Sequence, residues 1–176
     1  SGIYNLELNS EIPNFGFCIG LRPEDIQDDW SMKFEEMKDL SLSKNCLAIG
    51  ECGLDKLVAI DFNLQKKVFQ EHISWANEIQ KPIIIHCVRS FSEILSFKKD
   101  TKPPMIIHGY NKKKVVLDEL LSKGFFLSFG KAVLHNVSLQ EIVKDFPLDK
   151  LFLETDNANF DISNLYQKVA DLKSIS

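Results

Sequence analysis

No apolar run in these 176 residues approaches the roughly 20 that a membrane helix needs, and nothing at the N-terminus has the layout of a signal peptide. No membrane partner is expected. There is no G-x-G-x-x-G, which removes support for a dinucleotide fold. Excess positive charge is also missing: the net charge is −4, which argues against a protein that coats nucleic acid electrostatically. An enzyme that meets phosphate through bound metal and a local patch remains open. Cysteine is scarce, and Cys18, Cys46, Cys52 and Cys87 show no C-x-x-C spacing. Each sits in or beside a β-like run, which reads as small buried thiols in a reducing compartment and so a cytoplasmic location. Linkers and low-complexity segments are absent, so residues 1–176 read as a single domain.

What is present is an ordinary globular composition, 44% hydrophobic and 26% charged, with thirteen Phe as bulky core material. One pattern recurs four times: a short apolar run ending in a residue that can bind metal. Cys46-Leu47-Ala48-Ile49-Gly50 runs into Glu51, and Pro82-Ile83-Ile84-Ile85 into His86. Pro104-Met105-Ile106-Ile107 runs into His108, and Leu151-Phe152-Leu153-Glu154-Thr155 into Asp156. Such runs suit strands buried on both faces of a parallel sheet. A barrel of such strands gathers their C-terminal ends at one mouth, where two imidazoles and two carboxylates make a first shell for one or two divalent cations. Each residue alone also fits a plainer role: a buried His is commonly a hydrogen-bonded core residue, and a strand-end carboxylate commonly caps the next helix.

Along the chain, Ser1 and Gly2 read as tag residue or loop, and Ile3 to Leu8 as a short strand. Phe15 to Ile19 is a second strand, followed by a helix start at Pro23 and an amphipathic stretch from Phe34 to Leu42. Cys52 to Lys56 reads as a turn-rich loop. Asp61 to Ile79 is the clearest helix, with Asp61 as N-cap and His72 structural rather than catalytic. Ser90 caps a helix to about Lys98, and Val115 to Ser122 is helical with Gly124 as its stop. Lys112-Lys113-Lys114 reads as a solvated helix start that, at a barrel mouth, also attracts a polyanion. Phe125 to Gly130 is a buried strand, Leu139 to Val143 a short helix broken by Pro147, and Ile162 to Leu172 the last helix. Repeated βα units with ligands on several strand ends favour a closed (β/α) barrel over an open sheet.

Four ordered segments, Ala48-Ile49-Gly50-Glu51-Cys52-Gly53-Leu54-Asp55, Pro82 to Arg89, Ile106-Ile107-His108-Gly109-Tyr110 and Leu153-Glu154-Thr155-Asp156, resemble the signatures of the TatD family of metal-dependent hydrolases. The resemblance implies an α/β fold of TIM-type barrel kind, distorted or incomplete. It implies one or two divalent metal ions (Mg, Mn or Zn) and hydrolysis of phosphodiester bonds, with DNA as substrate and no stable protein partner. By motif position, Glu51 is the bridging carboxylate, His86 and His108 are ligands of one metal, and Asp156 is ligand and base at the other. Arg22, Arg89 and Lys56 are the expected contacts to phosphate oxygens. The chain lacks the family's opening H-x-H pair and has Gly20-Leu21-Arg22-Pro23 where G-x-H-P is usual. A trimmed form of a longer chain, without the first strand and last helix, is the expectation. The alternatives are a degenerate barrel that binds metal or phosphate without turnover, and a hydrolase of another ester or amide.

Overall fold

The computed structural model describes residues 2–175, so the expectation for Ser1 lies outside the described residues. The chain divides into two compact units, one up to Ile106 and one from Ile107 onward. In the first unit the strand order is β1 (Tyr4–Asn5), β2 (Phe17–Ile19), β3 (Cys46–Asp55) and β4 (Ile83–Val88), every neighbouring pair parallel. A bond from Ile83 N–H to Pro104 O at 2.9 Å continues the pairing towards β5 (Met105–Ile107). The connections run through α1 (Trp30–Ser41), α2 (Phe62–Ile79) and α3 (Phe91–Phe97). Strand, helix and parallel strand in repetition give an α/β class.

α2 shows why the sequence signal was strong there. Val68, Phe69, His72, Ile73 and Ala76 recur at three- and four-residue spacing, and all are buried. Asp61 accepts the Leu64 N–H at 2.8 Å, as a side-chain cap should. Ser90 precedes α3 without capping it, because its buried hydroxyl donates to Leu54 O at 2.8 Å and ties the loop to β3 instead. The segment 52–56 is not a loop up to Asp55: β3 runs ten residues, and Cys52, Gly53 and Leu54 pair with β4. Turn-forming Gly53 misleads here, because its glycine serves close strand approach and not a turn. A Cβ on Gly53 would lie 2.0 Å from the His86 carbonyl oxygen.

His72 is structural, as its mid-helix position suggested. Nε2 accepts the Leu21 N–H at 3.0 Å and Nδ1–H donates to Val68 O at 2.8 Å, which fixes a neutral tautomer. Burial pushes its pKa down from 6.5 to about 4, with the Val68 contact opposing. Between these values the unfolded chain binds a proton that the folded chain refuses. The contribution is therefore complete above pH 6.5 and is lost as pH falls towards 4. Between pH 7 and pH 5 the wild type should lose about 2 kcal/mol from this group. Urea unfolding of wild type and His72→Gln at both pH values checks it: the variant, less stable at pH 7, should lack that increment.

In the second unit β6 (Phe126–Phe129) pairs in parallel with β7 (Leu151–Leu153), and Glu154 N–H to Phe129 O extends the ladder at 3.1 Å. Helices α4 (Lys114–Ser122), α5 (Val137–Asp145) and α6 (Ile162–Lys173) follow β5, β6 and β7 in turn. Their apolar faces bury Leu117 and Leu120, Leu139 and Val143, and Leu165 and Val169. Asn136 and Asp161 cap α5 and α6 by accepting the N–H groups of Leu139 and Ser163. No helix among the described residues is long and apolar enough to cross a membrane.

Candidate metal centre

In the first unit Glu51 occupies an irregularity in β3. Ile49 pairs with Ile83 and Cys52 with Ile85, so β3 spends three residues where β4 spends two. The extra residue is a bulge, a device that re-aims a side chain next to a site. Two glycines make the local geometry possible. Gly50, at φ +141°, would place a Cβ 2.4 Å from Ile84 O, and Gly20 would place one 2.6 Å from Glu51 O. The loop Gly20 to Pro23 thus packs on the Glu51 backbone. It also brings Arg22 within electrostatic reach of Glu51. Burial works against the Arg22 charge, but Asp25, Glu24 and Glu51 outweigh it and raise its pKa. Arg22 Nε bonds Asp25 Oδ2 at 3.1 Å and pairs with Glu24 Oε1 at 3.4 Å.

His86, three residues into β4, meets a partner that the sequence reading did not single out. Its Nε2 lies 3.2 Å from Asp55 Oδ2. Asp55 is itself fixed: its Oδ1 accepts the Leu57 N–H at 2.7 Å, and the buried Gln65 amide bonds both its N–H and its C=O. A carboxylate on one ring nitrogen sets a histidine's tautomer and orientation for the other. The signal was available in Gly53-Leu54-Asp55, where the aspartate closes the strand that carries Glu51. Lys56 ion-pairs with Glu93 at 2.6 Å and lies over the Phe62 ring, while Arg89 is exposed at φ +53°.

The second unit brings three ligand-type side chains together. Donor atoms of His108, Glu154 and Asp156 all lie within 4.8 Å of one another. His108 follows β5 directly, and Gly109 at φ +61° turns the chain away from it. Glu154 follows β7, with its Oε1 3.7 Å from His108 Nδ1. Burial opposes charge on Glu154, and the His108 and Ser128 side chains more than offset it, leaving its pKa lowered. That Oε1 is buried and accepts no hydrogen bond among the described residues. A buried, charged acceptor without such a bond is costly unless a cation meets it, and His plus two carboxylates is a donor set that suits a divalent ion. Asp156 is exposed, with φ +45°, and Asn157 follows at φ +56°, left-handed positions that Asp and Asn tolerate better than other side chains. Glu154 was absent from the predicted ligand set because it sits inside the apolar run, two residues before the aspartate that ends it.

Parallel βα units that carry histidine and carboxylate donors on or just after their strands define an α/β fold with a candidate metal centre. A family model described as TatD related DNase matches residues 3–168, and the chain belongs to that family. It is 31% identical over 157 residues to an uncharacterized metal-dependent hydrolase, YabD, of Bacillus subtilis, covering 86% of this chain and 62% of the relative. It is 26% identical over 151 residues to a 3'-5' ssDNA/RNA exonuclease TatD of Citrobacter koseri, covering 78% of this chain and 55% of the relative. The chain thus spans about three-fifths of the curated relatives it matches. In fold it is similar to the YJJV TatD homolog of Escherichia coli, with TM-score 0.74 and 18% identity over 89% of this chain and 68% of the other. A TatD family hydrolase of Entamoeba histolytica gives TM-score 0.73 at 16% identity over 91% and 69%. The expected class, α/β of distorted TIM-type barrel kind, agrees with that fold.

Proposed function

We propose that this protein is a divalent-metal-dependent phosphodiesterase acting on DNA, in the cytoplasm. The observation that carries the reading is the meeting of His108, Glu154 and Asp156, in a chain of this family. His108, Glu154 and Asp156 would hold one ion, and Glu51 and His86 are the metal ligands proposed within the first unit; magnesium, manganese and zinc all suit nitrogen and oxygen donors in some proportion. When bound, the cation supplies Lewis-acid stabilisation of charge on a phosphoryl oxygen and lowers the pKa of water beside it.

The chain's own groups do the rest. Asp156, exposed on its loop, orients the attacking water and accepts its proton as general base. Asp55 holds the His86 ring in one orientation through Nε2. Arg22, close to Glu51 and fully charged, and Arg89 and Lys56 neutralise the non-bridging phosphate oxygens. Lys56 must leave or share Glu93 to do so, a contact worth little at an exposed site.

Hydrolysis of a DNA oligonucleotide tests the reading. The protein stripped with EDTA should be inactive and should recover on adding magnesium or manganese. Activity that persists through chelation, or hydrolysis of carboxylic esters in preference to phosphodiesters, would remove it.

A further inference from the structure

Four lysines stand in two segments of the second unit that flank the candidate centre. The segment after His108 carries Lys112 and Lys113 in its loop and Lys114 at the start of α4, and the short 3-10 helix after Gly130 opens with Lys131. Residues 109–117 and 130–140 hold no carboxylate at all, in a chain whose net charge is −4. The placement runs against helix electrostatics, since Lys113 is the N-cap of α4 and Lys114 its first residue, where the helix dipole disfavours cations. Lys114 offsets this by pairing with Asp118 at 3.3 Å. Lys112, Lys113 and Lys131 are exposed and form no ion pair among the described residues.

Both segments are fixed close to the donors. A Cβ on Gly109 would sit 3.6 Å from Glu154 Oε1, and one on Gly130 would sit 3.5 Å from Glu154 Cγ. Tyr110, buried, anchors the first segment: its N–H donates to Ser128 O and its hydroxyl to Lys113 O, each at 2.9 Å. Asn136 Nδ2 reaches Asn111 Oδ1 at 3.5 Å, linking the two segments. Lys112 begins three residues from Gly109, a reach of about 10 Å at full extension. Lys131 adjoins Gly130 directly. Unpaired lysines on segments fixed beside the proposed site are placed to meet phosphates next to the one being cleaved.

We infer that Lys112, Lys113 and Lys131 form a phosphate track, which holds a single polynucleotide strand as it passes the His108–Glu154–Asp156 cluster. The inference rests on the proposed phosphodiesterase reading for its substrate, and it adds where the strand lies. It also predicts a substrate longer than one nucleotide step, because the lysines face phosphates beyond the scissile one.

The test is binding of a fluorescent single-stranded oligonucleotide in EDTA, where no cleavage intervenes, followed by anisotropy across a salt series. Each phosphate contact on a single strand contributes about 0.7 to the slope of log K against log salt. The triple variant Lys112→Gln, Lys113→Gln, Lys131→Gln should lower the magnitude of that slope by about 2. The corresponding triple arginine variant should keep the wild-type slope. A control triple with the same charge change outside these segments, Lys123→Gln, Lys144→Gln, Lys168→Gln, should keep it too. A glutamine triple with the wild-type slope, an equal loss in the control, or wild-type binding without salt dependence would each overturn the track. Metal-restored cleavage by the wild type is read separately, so a failure of the phosphodiesterase reading shows there and leaves the binding result distinct.

Discussion

Asp156→Asn and His108→Ala should each reduce metal-stimulated DNA hydrolysis by about 100-fold or more, while circular dichroism shows both folded and the melting temperature of metal-free Asp156→Asn stays close to wild type. Asp156 is exposed on a loop after β7 and Asn tolerates its left-handed backbone, so that substitution removes charge without disturbing the fold. It takes away both a ligand and the proposed base. His108 is only 11% exposed, yet its truncation falls at the strand end and not in the apolar core. Losing one of three donors that meet within 4.8 Å leaves Glu154 and Asp156 to repel one another. A steady-state assay at saturating magnesium or manganese reads the outcome, and full activity in either variant would contradict the proposed ligand set.

Gly53→Ala should destabilise the protein by about 3 kcal/mol or more, or prevent its accumulation as a folded chain. Two independent costs coincide there. The backbone φ is +146°, a conformation that side chains rarely adopt, and the new Cβ would lie 2.0 Å from a carbonyl oxygen of β4 that cannot move without breaking the ladder. Gly124→Ala is the comparison. Its φ is +79° but nothing lies within 4 Å of the added atom, so only the conformational penalty of about 1 kcal/mol applies. Chemical denaturation of the two variants should separate them by about 2 kcal/mol or more.

The strands and main helices are legible because apolar runs and three- to four-residue spacing report burial directly, but Glu51 and His86 lie inside β3 and β4 and not at their ends as expected. α2 is legible because its buried side obeys one period over 18 residues. The readings fail where a residue type serves two ends. Gly53 looks like a turn residue but is a close-approach residue inside β3, and Ser90 looks like a cap but bonds Leu54 O. Asp55 and Glu154 were missed for a related reason. Their importance lies in what they touch across strands, His86 for one and His108 for the other; a local segment such as Gly53-Leu54-Asp55 marks the aspartate but not its partner. Gln65, whose amide fixes both sides of the Asp55 backbone, is likewise invisible as a spacing on α2.

The cluster of His108, Glu154 and Asp156 is tested most directly by diffraction from crystals soaked in manganese, with data collected near the manganese edge. The anomalous map should show a peak about 2.0–2.3 Å from a ring nitrogen of His108 and from carboxylate oxygens of Glu154 and Asp156. It should vanish in crystals of Asp156→Asn. A map with no peak among those three side chains at full manganese occupancy elsewhere would contradict the account.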